Sequence, residues 1–137
     1  MTKRKPLELF SESEIKAAPR FMPKPVLGRV YSVYDGDTIS VLGYQGETAY
    51  RFSVRVLGVD TPEMRGKTDV EKKLAAKAKA FVEERCLDKI VELKNHVKEK
   101  YGRVCAEVWI DGSNLASELI TAGLGKPYDG GAKMAWA

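Results

Sequence analysis

The sequence predicts a mainly β fold with helices attached, a small closed barrel of the α+β class. Three observations predict it. Three β-rich runs follow one another from Val26 to Val59, separated by Asp35-Gly36 and by a Gly43–Gly46 turn. One strongly amphipathic helix comes next, and two further β-rich runs follow that helix. Strand runs that alternate and are bounded by Gly and Asp favour hairpins, whose sheets must close or be covered to bury one face.

The chain has 137 residues, enough for one domain with a core of its own. Hydrophobic residues make up 44% and charged residues 31%, a globular rather than a disordered balance. The formal net charge of +4 leans towards a polyanionic partner, although a lysine-rich soluble surface accounts for it equally well. Cys86 and Cys105 are the only cysteines, and they form no C-x-x-C pair. They read as small core residues of a reducing compartment. His96, the only histidine, excludes a histidine-built metal site and reads as a surface turn residue. No window is long and apolar enough for a membrane span, and the basic N-terminus lacks an apolar signal core. An intracellular protein with no membrane partner is the expectation.

Residues 1–25 read as an arm, and residues 26–137 as the domain. In the arm, Pro6, Pro19, Pro23 and Pro25 confine a short helix over Phe10–Ala17, started by Ser11 or Ser13. Val26–Tyr34 is the first strand and Thr38–Leu42 the second. Thr48–Val59 is a long third, with Tyr50, Phe52, Val54 and Val56 on one face. Thr68 and Glu71 match a capping box, and Val70, Leu74, Ala78, Phe81 and Val82 share a face of the helix that follows. Lys89–Lys94 and Arg103–Ile110 are the fourth and fifth strands, joined by a charged turn. Ser113 or Asn114 caps a last helix over Leu115–Ala122 with Leu115, Leu119 and Ile120 inward, and Gly123 stops it. The tail from Leu124, with three glycines, is expected to be irregular. This order is that of an OB-fold, a five-stranded Greek-key barrel with a helix between strands three and four and a short helix after strand five.

Chemistry concentrates in three places. Asp35-Gly36-Asp37-Thr38 sets two carboxylates at the first turn, where a hard cation would find oxygen ligands, although an Asp-Gly hairpin turn explains the tetrapeptide by itself. It is not an EF-hand loop, because Ile39 and Ser40 stand where that loop places a ligand and a glycine. Arg55 lies in an otherwise apolar strand that ends at Asp60-Thr61-Pro62-Glu63, and Pro62 stops that strand for lack of an N–H. A charged residue in such a strand must be paired or face a cleft. Tyr101-Gly102-Arg103 opens the fifth strand with a second guanidinium, each fork able to take a phosphate bidentately.

Taken together these residues resemble the staphylococcal nuclease family, from about Val26 to Lys126. The resemblance implies that the Asp37 and Asp60 carboxylates and the Thr61 carbonyl ligate one Ca2+, with Asp35 as an acid behind them. It implies that Glu63 orients or deprotonates the attacking water, and that Arg55 and Arg103 hold the phosphate. Tyr101 and Tyr128 are then candidates for contacts to the nucleotide. The implied activity is that of a Ca2+-dependent endonuclease acting on single-stranded or locally unpaired DNA and RNA. It would break the O5′–P bond and leave 3′-phosphate ends, working as a monomer. The alternative is a non-catalytic OB-fold module that binds nucleic acid or a protein. Degenerate modules of that kind lose the acids and arginines, which are present here. The departures lie at the ends: the arm is longer, the C-terminal helix is curtailed, and Trp136 reads as an anchor for the tail. The Met64–Lys67 loop is rich in charge and could contact substrate.

Overall fold

A computed structural model describes residues 4–19, 21, 23–97 and 103–128. Strands β1 (Leu27–Asp35), β2 (Thr38–Gln45) and β3 (Thr48–Val56) form an antiparallel meander. After helix α2 (Asp69–Cys86), β5 (Ile90–Val97) pairs with β1, and β6 (Val104–Ile110) pairs with β5. Parallel pairing of Val54, Arg55 and Val56 with Val104, Cys105 and Ala106 joins β3 to β6 and closes a five-stranded barrel. The architecture is an OB-fold barrel, with α2 between the third and fourth barrel strands.

Alternation explains the core. Val30, Val33, Ile39, Val41, Val54, Val56, Val91, Leu93, Val104 and Val108 point into the barrel, while their strand neighbours point out. Helix α2 covers one end through Ala75, Ala78, Val82 and Cys86. The helical face is therefore rotated from the expected one: Val70 is 52% exposed and Leu74 and Phe81 are half-buried. Alanines at positions 75 and 78 let the helix approach the barrel closely, and that favours their face over one centred on Leu74 and Phe81. Thr68 caps α2 by accepting from Glu71 N at 3.1 Å, but the Glu71 carboxylate accepts from Lys67 N at 3.3 Å, one residue before the position a full capping box uses.

The third strand is shorter than its apolar run. It ends at Val56, Gly58 takes φ +90°, and a new strand β4 (Gly58–Asp60) leaves in another direction. The glycine permits the bend, which a side chain would strain. The described part of the tail, as far as Tyr128, is not irregular. After α3 (Leu115–Thr121), capped by Asn114, which with Ser113 forms the two-residue strand β7, the chain returns as β8 (Lys126–Tyr128) and pairs with β4. A Cβ on Gly125 would clash with Val59 Cγ2, so only glycine lets the tail lie this close. Gly123, at φ +75°, turns the chain out of α3 as expected.

His96 is not in a turn. It lies in β5 with Nε2 2.7 Å from the Pro25 carbonyl, tying the arm's end to the barrel. Within the arm, α1 (Glu12–Ala17) begins at Ser11, whose hydroxyl and the Glu14 carboxylate form a reciprocal capping box. Both cysteines are buried, and burial pushes the Cys86 thiol up to about 11. Tyr101 and Trp136 lie outside the described residues. Among the described residues no helix is long and apolar enough to cross a membrane.

Candidate active site

The β1–β2 turn, the β3 end, the segment after β4 and the start of β6 meet at one mouth of the barrel. The cleft there is about 350 Å3, lined by Tyr34, Asp35, Asp37, Thr38, Arg55, Glu63, Met64, Arg65 and Arg103. Closure of the sheet does the positioning. Arg55 pairs with Thr38 on one side and with Cys105, two residues past Arg103, on the other.

Asp37 is the hub. Its backbone carbonyl accepts from Val56 N at 2.9 Å, and its Oδ2 accepts from Thr61 N at 3.1 Å. The Thr38 hydroxyl donates to Asp37 Oδ1 at 3.1 Å. Burial alone would raise the Asp37 carboxyl, but the neighbouring Asp35 carboxyl, the Arg55 guanidinium and the Thr61 N–H hold it below the usual carboxylate range. Asp35 goes the other way. Burial, reinforced by the adjacent Asp37 carboxylate, pushes it up to about 7, so of the two Asp35 takes up a proton first as pH falls, while Asp37 keeps the charge.

Gly36 makes the turn fit. A Cβ there would lie 2.8 Å from Ala78 Cβ and 2.9 Å from the Thr61 side chain. The turn therefore wedges between α2 and Thr61, which brings the β1–β2 carboxylates against the strand end.

Arg55 has a structural task as well as a place in the cleft. Its Nη1 donates to the Val56 carbonyl at 2.8 Å and the Val59 carbonyl at 2.9 Å, spanning the Leu57–Gly58 bend. Its Nη2 lies 3.5 Å from Asp37 Oδ2 and 3.9 Å from Asp60 Oδ1. An arginine in an apolar strand is thus accounted for by pairing even without a ligand. The Tyr128 ring lies 5.7 Å from the Arg55 guanidinium carbon, within cation–π range. The sequence left Tyr128 unaligned; the β4–β8 pairing puts it here. Glu63 and Arg103 are solvent-exposed on the cleft wall.

Donor chemistry tests the site for a cation. Asp37 and Asp60 are both buried and converge on one guanidinium nitrogen, so their oxygens reach a common point. The Thr61 hydroxyl, in a residue only 1% exposed, has no hydrogen-bond partner among the described residues. Among those residues no three His, Cys, Asp or Glu side chains gather into a cage. Two carboxylates with neutral oxygens suit a hard cation that keeps water ligands, such as Ca2+ or Mg2+, and not a thiolate- or imidazole-seeking metal.

Sequence reading missed Tyr34 and left the Met64–Lys67 loop open. The signal for Tyr34 was its place directly before Asp35. The loop is a turn closed by Gly66 N donating to the Glu63 carbonyl at 2.9 Å, and it carries Met64 and Arg65 into the cleft wall.

A family model described as staphylococcal nuclease homologue matches residues 53–133, more than half of the chain. An uncharacterized protein of Methanocaldococcus jannaschii is 34% identical, the match covering 74% of this chain and 58% of that protein. Endonuclease Htp3 of Saprolegnia parasitica is 30% identical over 74% of this chain and 55% of its own length. An uncharacterized endonuclease of Escherichia coli is 30% identical over 74% of this chain and 61% of its own. The chain thus spans somewhat more than half the length of these relatives.

Proposed function

The chain belongs to the staphylococcal nuclease homologue family, and on that premise we propose that it is a Ca2+-dependent nuclease that hydrolyses DNA and RNA at the O5′–P bond. One observation carries the reading: Asp37, Arg55, Glu63 and Arg103 line a single cleft, with Asp60 and Thr61 buried beside Arg55. The family match and the endonuclease relatives support it.

A phosphodiester is an anion that repels hydroxide, so its charge must be cancelled before water can attack. In this reading Asp37, Asp60 and the Thr61 carbonyl would hold one Ca2+, with Asp35 behind them. When bound, such a cation would supply positive charge that offsets the charge of the phosphate. Glu63, exposed on the cleft wall, accepts a proton from the water whose oxygen bonds to phosphorus. Arg55 and Arg103 hold the phosphate through charge-assisted hydrogen bonds, and arginine stays protonated throughout. As the P–O5′ bond breaks, Arg103 donates a hydrogen bond to the departing O5′, which takes its proton from solvent water, and the phosphate stays on the 3′ end. Tyr128 keeps the Arg55 plane oriented, and Tyr101 contacts the nucleotide.

The test is to incubate the protein with single-stranded DNA and RNA, first with Ca2+ and then with excess chelator. Cleavage that requires Ca2+ and leaves 3′-phosphate ends is the expected result. Binding of either strand without Ca2+-dependent cleavage would overturn the reading and leave a non-catalytic OB-fold module.

A further inference from the structure

We infer that Tyr34, with Met64 and Arg65, forms a nucleobase subsite beside the phosphate cleft, one that receives an unstacked base. This rests on the nuclease reading of the cleft and adds to it a site for the base. The β1–β2 ladder matches Val33 with Ile39 and Asp35 with Thr38, so Tyr34 is one extra residue between two pairs. A bulge of this kind twists the strand and re-aims the side chain that it carries. Tyr34 is 59% exposed, yet it lines the same cleft as Asp37, Arg55 and Arg103. A large ring held in water beside charged groups gains little from its own fold, whereas a base stacked on it would bury both faces.

The rest of the subsite comes from the turn after Pro62. Met64, 39% exposed, and Arg65 line the cleft beside Tyr34. A thioether packs well against a flat π system. Arg65 is a third guanidinium on the cleft wall, free of any place in the proposed phosphate chemistry, and suits a flanking phosphate or the base face. In a duplex each base already has both faces covered by its neighbours. A ring at this position can therefore stack only on a base that is single-stranded or flipped out, which makes the subsite a selector for unpaired strands.

The experiment uses the full chain with Ca2+ and compares wild type, Tyr34→Ala and Tyr34→Phe. The substrates are oligo(dT), an oligomer of abasic tetrahydrofuran phosphates of equal length, and a duplex. The expected result is a KM on oligo(dT) raised about 10-fold or more by Tyr34→Ala with kcat nearly unchanged, and a KM restored by Tyr34→Phe. On the abasic oligomer and on the duplex, Tyr34→Ala should match wild type. Equal KM values on oligo(dT), or the same loss on the abasic oligomer, would overturn the subsite. Fluorescence anisotropy with the same oligomers separates the two readings. If wild type cleaves nothing but binds oligo(dT) more tightly than Tyr34→Ala does, the nuclease reading falls and the subsite stands. If the two bind equally, the subsite falls as well.

Discussion

Asp35 and Asp37 stand two residues apart on one turn, yet their surroundings drive their carboxyls in opposite directions. Asp37 gains an arginine, a backbone N–H and a hydroxyl; Asp35 gains mainly burial and a like charge. Because the folded Asp35 carboxyl titrates near 7 and an unfolded one near ~3.9, ionising it costs the fold stability as pH rises across that window. With chelator present, the denaturant midpoint of wild type should fall between about pH 4 and 7 relative to that of Asp35→Asn. The two should agree at the acid end, and parallel curves throughout would contradict the assignment. Glu63 and Arg103 are exposed, so their removal should spare the fold. Glu63→Gln and Arg103→Ala should each lose on the order of 10²–10³ in cleavage rate while keeping the wild-type melting temperature. Near-native turnover by either purified variant would remove it from the proposed roles.

At the scale of elements, the site depends on close approaches that few residues permit. Gly36 lets the β1–β2 turn sit between Ala78 of α2 and Thr61. Gly36→Ala should cost about 1–3 kcal/mol, because the new methyl meets a packed helix and a buried strand end. It should also slow cleavage, since the displaced turn carries Asp37 away from Thr61 N. A thermal melt and a rate measurement on one preparation check both, and an unchanged melt would show that α2 yields freely. Arg55 clamps the Val56 and Val59 carbonyls over the bend, so β3, β4 and the proposed phosphate site share a single side chain. Loss of Arg55 is accordingly read in stability as well as rate.

Across the whole molecule, Arg85 fastens the C-terminal half together. From α2 it donates to Glu118 of α3 at 2.8 Å, to Asp111 at 3.2 Å and to the Ile110 carbonyl at 3.2 Å. The hydrogen bond from Arg85 holds the Glu118 carboxyl below the usual range. The stability that this pair contributes is therefore present above the unfolded value of ~4.3 and is lost as pH falls through the folded one. Glu118→Gln should cost about 1 kcal/mol at pH 7 and flatten the acid limb of the stability curve below about pH 4. Denaturant titrations at pH 7 and pH 3 measure it, and an equal loss at both would place the effect in packing instead. Because α3 packs on β4 and β8, that loss should reach Tyr128 and, through it, Arg55.

Much of this was legible from residue order. Alternation marked the barrel strands, Thr68 and Asn114 announced their helices, and Asp-Gly-Asp, Asp-Thr-Pro-Glu and the two arginines marked the cleft residues, because these signals are local and short-ranged. The misread parts are all long-range. The apolar run to Val59 hides a bend that becomes necessary only when Arg55 grips both sides of it and β8 arrives from 68 residues away to pair with β4. The buried face of α2 follows from the sheet beneath it, which favours Ala75 and Ala78 over Leu74 and Phe81. The place of His96 follows from a carbonyl at Pro25. So the sequence by itself determined which residues could do chemistry and roughly where strands and helices run. Only the tertiary structure decided that Tyr34 lines the cleft with Arg55 and that Tyr128 packs against Arg55, because a bulge and a returning tail are pairings between segments that sequence spacing does not record.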